Sequence, residues 1–117
     1  MLRRIVDRLT KPVEELDRDA LTEFCDRLGV EPLDAVQPRR PVRLGGEVRS
    51  VRVVPRAGAP SLEVTFSDGR ATATAVFLGR RKILGMTPGR RLVVEGVVGR
   101  RLGHEVLLVN PAYELLA

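Results

Sequence analysis

The sequence predicts an all-β domain: five strands closing into a small barrel, a short helix between the third and fourth strands, and an N-terminal helical extension in front. Three observations carry this expectation. After Pro41 the apolar residues alternate with polar ones in the period of a strand. Asp68-Gly69 and Pro88-Gly89 cut that stretch into strand lengths. Before Pro41 the apolar residues recur at helical spacing instead. With 117 residues there is room for one modest core. The expected division is a helical extension over 1–37 and a β domain over 38–117.

Leu2, Ile5, Val6 and Leu9 fall at helical spacing over two turns. A second helix fits Val13 to Leu28, with Thr10 as a cap, Pro12 in its first turn and Glu14 and Glu15 near its positive end. Val13, Leu16, Ala20, Leu21, Phe24, Cys25 and Leu28 make one apolar stripe, and Gly29 terminates it. Asp17 or Asp19 is a place for a break. Pro32, Pro38 and Pro41 mark 30–41 as a linker with at most one helical turn.

The first strand, 42–54, puts Val42, Leu44 and Val48 on one face and Val51 and Val53 on the opposite parity. That switch implies a bulge or bend, for which Gly45-Gly46 and Ser50 are candidates, and a strand long enough to pair on two sides. A loop is expected over 55–60. Strand two, 61–67, sends Leu62, Val64 and Phe66 inward, and Asp68-Gly69 reads as a two-residue hairpin turn. Strand three, 70–78, sends Ala71, Ala73, Ala75 and Phe77 inward, with Thr72, Thr74, Val76 and Leu78 outward. Ile83, Leu84 and Met86 are the apolar side of a helix expected over 79–87. Strand four, 90–99, points Leu92, Val94 and Val98 inward. A hairpin loop at 100–103 leads to strand five, 104–110, which Pro111 ends. Three strands, a helix and two strands is the order of the OB-fold, in which oligonucleotides lie across strands two and three between the first and last loops.

The run from Val42 to Leu115 also resembles bacterial OB-fold nucleic-acid-binding domains of the anticodon-binding type and the wedge domain of the helicase RecG. The matching pieces are G-E-V-R-S-V at 46–51, S-D-G-R at 67–70 with the alternation after it, V-F-L-G-R at 76–80, P-G-R-R-L-V-V-E-G at 88–96 and N-P-A-Y-E-L at 110–115. With its helical extension the chain is similar to short stand-alone OB proteins of actinobacteria. The resemblance implies nucleic-acid binding and carries no helicase or synthetase motif.

Charge points the same way. The net charge is +5, yet residues 1–37 hold 6 basic against 9 acidic side chains, and residues 38–117 hold 14 against 6. A phosphate-binding surface is therefore expected on the β domain, and 18 of the 20 basic residues are arginines, whose planar fork suits phosphate. The candidate contacts are Arg49 and Arg52 in strand one, Arg56 in the first loop, Arg70, Thr72 and Thr74 in strand three, and Arg100, Arg101 and His104 around the last loop. Arg56, Arg100 and Arg101 are expected to converge at the cleft with Arg49 or Arg52. The competing reading is a solvated surface whose arginines pair with Glu47, Glu63, Glu95 and Glu105. Arg80, Arg81 and Lys82 read as a solubilising group away from the cleft.

Base stacking is expected to be weak. Phe24, Phe66 and Phe77 fall on apolar faces, Tyr113 follows the last strand, and there is no tryptophan. His104 is the lone histidine and Cys25 the lone cysteine, so no triad, zinc site or disulfide is expected, and no phosphate-binding loop motif is present. The expectations are a cytoplasmic protein that is not an enzyme and needs no cofactor. Its expected partner is nucleic acid, single-stranded or junction DNA before RNA, with low sequence specificity and no membrane contact. The alternative is a protein-interaction or self-association module using the acidic helices of residues 1–37.

Overall fold

The computed structural model describes residues 13–99 and 105–117. They form α1 (Val13–Leu28), a 3-10 turn (Leu33–Ala35), β1 (Pro41–Arg56), β2 (Ala59–Ser67), β3 (Thr72–Leu78), β4 (Arg91–Val97), β5 (Val106–Val109) and β6 (Ala112–Leu115). The expected helix over 2–9, the Thr10 cap and the last hairpin loop lie outside the described residues. No helix among the described residues is long and apolar enough to cross a membrane.

β1 organises the sheet by pairing on both sides. Pro41 to Glu47 face β4, and Glu47 to Arg56 face β2, so Glu47 lies opposite both Arg91 and Ser67. The register slips between Val48 and Ser50, which places the extra residue at Arg49 and turns Val51 toward the side Val48 occupies. The parity switch in the sequence is thus a bulge, and it sits three residues beyond Gly45-Gly46. The full strand order is β5-β3-β2-β1-β4-β6. Every pairing is antiparallel except β3 with β5. An isolated bridge joins Val98, just past β4, to Leu108 of β5, and Gly99 N donates to Leu107 O at 2.8 Å.

Several boundaries differ from expectation. The loop at 55–60 is only the turn Ala57-Gly58, because both residues take positive φ (50° and 79°) and Pro55 pairs with Pro60. Two successive positive φ values match the twist of a tight hairpin. The turn after β2 is four residues long, not two, because the Asp68 carboxylate folds back onto the amides of Arg70 and Ala71. Six strands appear where five were expected. Asn110, at φ 50°, and Pro111 bend the chain, and β6 then resumes pairing along β4.

The helix expected over 79–87 is absent. Gly79, Gly85 and Gly89 all take positive φ, and the bonds present are those of short turns: Met86 N to Ile83 O, Thr87 N to Gly85 O, Arg90 N to Thr87 O. Left-handed residues at Gly79 and Gly85 leave only five between them, too few for a stable helix. Ile83 and Met86 still reach the core, and Leu84 between them stays in solvent.

The core holds Leu44, Val48, Leu62, Val64, Phe66, Ala73, Ala75, Phe77, Leu92, Val94, Val106 and Leu108, all buried. Full burial of a valine, leucine or phenylalanine among them contributes about 1.5–3 kcal/mol. Ile83 and Met86, from the segment that links β3 to β4 in sequence, join the core. Leu33 and Val36 of the linker also enter it, and neither is exposed. α1 runs unbroken through Asp17 and Asp19. Its stripe docks only in part: Leu21 and Cys25 are buried, whereas Val13 and Leu16 are 68% and 52% exposed.

Burial pushes the Cys25 thiol up to about 11, with the Asp68 carboxylate adding to the effect and Arg91 opposing it. The unfolded thiol ionises from about pH 8.5. The unfolded chain therefore releases this proton first, and stability falls as pH rises from there to about 11. Denaturant melts across that range should show a steeper alkaline loss for wild type than for Cys25→Ser. Parallel curves would mean that the thiol is not held neutral.

Candidate nucleic-acid interface

Alternation and register place three rows on the outer face of β1, β2 and β3. Arg52 faces Glu63 and then Val76; Ser50 faces Thr65 and then Thr74; Glu47 faces Ser67 and then Thr72. Thr72 is exposed, but Thr74 and Val76 are buried despite their outward parity, and the Thr74 hydroxyl lies 3.3 Å from that of Thr65. Thr74 is thus spent within the sheet, whereas Thr72 remains accessible.

The candidate arginines are brought close to carboxylates. Arg52 and Arg56 both reach Glu63, at 3.3 and 2.9 Å, one to each oxygen. Arg49 reaches Glu47 at 3.1 Å, and Arg91 approaches the other oxygen at 3.7 Å. Each glutamate therefore holds two guanidinium groups, and each cluster keeps one surplus positive charge. Arg70 bonds to Asp26 of α1 at 3.1 Å, which holds its proton more firmly than usual. Arg43 pairs with Glu95 at 3.4 Å. Exposed pairs of this kind are worth about 0–1 kcal/mol, so a phosphate can compete for the arginine. Arg52 and Arg56 are the two candidates that the structure brings together. Arg100, Arg101 and His104 lie outside the described residues.

No aromatic ring stands on this face. Phe66 and Phe77 are buried. Tyr113, exposed on β6, meets Phe77 edge-on at 5.5 Å. Phe24 lies under the Arg91 guanidinium at 4.2 Å, a contact that ties α1 to β4. No group of three or more metal-ligating side chains is found among the described residues.

One feature escaped the reading of the sequence. Asp68 is buried and bonded to α1, the linker and its own turn. The only sign of it was an aspartate beside glycine, which any turn can show. Arg80, Arg81 and Lys82, read from the sequence as a solubilising group, are exposed. Among the described residues these three have no carboxylate within ion-pair distance. Residues 69–94 contain six basic side chains and no acidic one. No family model matches this chain, and no curated protein matches it.

Proposed function

We propose that this chain is an OB-type barrel that binds nucleic acid through the phosphate backbone, with low sequence specificity and a preference for single strands or junctions. Three features support the barrel. The order β5-β3-β2-β1-β4 fits an OB sheet, β3 and β5 are parallel, and an isolated bridge joins Val98, just past β4, to Leu108 of β5. In this reading β5 and β6 are one fifth strand, bent at Asn110-Pro111. The resemblance noted in the motifs at 46–51, 67–70, 76–80, 88–96 and 110–115 points the same way.

The observation that carries binding is the surplus charge of residues 38–117, 14 basic against 6 acidic, in a domain whose outer face offers no stacking ring. Such a surface favours phosphate over bases. Its affinity should fall steeply between about 50 and 200 mM salt through counterion release. Titrating labelled single-stranded DNA, duplex and RNA across that range tests the reading, and no binding at the low end overturns it. Glu63→Gln removes the carboxylate that holds Arg52 and Arg56. It should tighten binding about threefold or more at low salt and steepen the salt slope. An affinity equal to wild type would place the contact away from this pair.

The assembly reading keeps one specific observation. The acidic α1 exposes Val13 and Leu16 on the stripe whose other half is docked. Light scattering of the full chain across a concentration series tests it, with a monomer throughout speaking against self-association.

A further inference from the structure

Within the nucleic-acid reading just proposed, and resting on it, the geometry points to a particular contact: Arg80, Arg81 and Lys82, beside the recess at the tip of the β1–β2 hairpin, grip the backbone of a single strand.

The first reason is availability. Arg49, Arg52, Arg56 and Arg70 each have a carboxylate within 3.3 Å and must exchange it for a phosphate. Arg80, Arg81 and Lys82 are exposed and have no such partner among the described residues. Their neighbourhood in sequence is acid-free from 69 to 94, and so is the hairpin from 48 to 62. A phosphate arriving there meets cations whose counterions are mobile salt, the condition for strong counterion release.

The second reason is placement. Gly79 N donates to Pro60 O at 2.8 Å, which ties the start of this segment to the hairpin. Ile83 is buried in the core immediately after Lys82. Three consecutive cations are thus held between two fixed points, so little backbone entropy is lost when they bind.

The third reason is the surface beside them. Arg81 lines a recess of about 280 Å³ with Val53, Pro55, Gly58, Ala59 and Pro60. Apart from the arginine, those side chains are apolar or absent, and Val53 is half-exposed. A phosphate on Arg81 brings its sugar or an unstacked base against that wall. Bases stacked within a duplex have no face free to use it, which selects a single strand.

The test is an anisotropy titration of fluorescein-labelled oligo-dT with the full chain, with Arg80→Ala/Arg81→Ala/Lys82→Ala, and with Arg52→Ala/Arg56→Ala. All five positions are exposed, and circular dichroism checks that each variant folds. The triple variant should lose at least about tenfold in affinity at about 50 mM salt, with the slope of log K against log salt shallower by about two, as for three lost phosphate contacts. The double variant should lose less. A triple variant that binds like wild type, or loses less than the double, overturns this site while leaving nucleic-acid binding intact. Duplex DNA competing better than oligo-dT overturns the choice of a single strand. Absence of wild-type binding to any nucleic acid removes both the site and the reading beneath it.

Discussion

Asp68→Ala should destabilise the protein by about 3–5 kcal/mol, although Asp68 bonds to neither the Arg52–Arg56 pair nor Arg80, Arg81 and Lys82. The residue is 1% exposed, and its carboxylate accepts three backbone amides. Oδ1 takes Arg70 N at 2.9 Å and Ala71 N at 3.0 Å, and Oδ2 takes Leu33 N at 2.9 Å. Its own carbonyl accepts the Thr22 hydroxyl at 3.1 Å. The first two bonds shape the β2–β3 turn, the third holds the linker and the fourth holds α1. Bonds to a charged acceptor are worth about 1.5–3 kcal/mol each, and donors left buried add their desolvation cost. The estimate is less than the sum because the turn amides gain water once the carboxylate is gone.

Asp68→Asn separates these roles. An asparagine oxygen can keep the two turn bonds, but its amide nitrogen cannot accept from Leu33. That variant should lose about 1–2 kcal/mol. With no tryptophan in the chain, circular dichroism in urea is the direct measurement. An Asp68→Ala protein within about 1 kcal/mol of wild type would show that the linker is held by Leu33 and Val36 packing alone.

The contrast between Asp68 and α1 shows what the sequence can disclose. The spacing of Leu21, Phe24, Cys25 and Leu28 reveals a helix because period is a local property. It does not reveal that Val13 and Leu16 stay exposed, because that depends on how much surface the sheet offers. Val48 and Val51 disclosed a bulge through parity alone. The segment 79–87 misled because Ile83 and Met86 are spaced as well for consecutive turns as for a helix, and the positive φ of Gly85 decides. Pro111 was a true break, yet nothing local to it says that pairing resumes one residue later along a different strand. Among the arginines, identity was legible and availability was not. Arg52 meets Glu63 only through the hairpin register, so its charge is shared by a residue eleven positions away.

Gly45 and Gly46 show the same limit at the level of two adjacent residues, and alanine should separate them sharply. Both lie in β1, where strand alternation sends them to opposite faces. A Cβ on Gly46 would run into the backbone of Ser67, against its carbonyl oxygen, with Phe66 Cδ2 at 3.0 Å. Backbone at the end of β2 cannot rotate away as a side chain can. This is the place where β1 passes from pairing with β4 to pairing with β2, so the two strands cross closely and only glycine fits. Gly46→Ala should cost about 3 kcal/mol, the upper part of the range for overpacking, and should disturb the Glu47–Ser67 register. A Cβ on Gly45 meets Leu28 Cδ1 and Val30 Cγ2, each at 3.3 Å. Those are ends of flexible side chains, which need to yield only slightly. Gly45→Ala also restricts the unfolded chain, which stabilises by about 0.4–1 kcal/mol where the new side chain fits. The two effects offset, and Gly45→Ala should stay within about 1 kcal/mol of wild type. Thermal melts of the pair decide the matter. A Gly46→Ala midpoint equal to that of Gly45→Ala would mean that β1 and β2 do not approach at this point. It would also remove the close crossing at which β1 passes from one partner strand to the other.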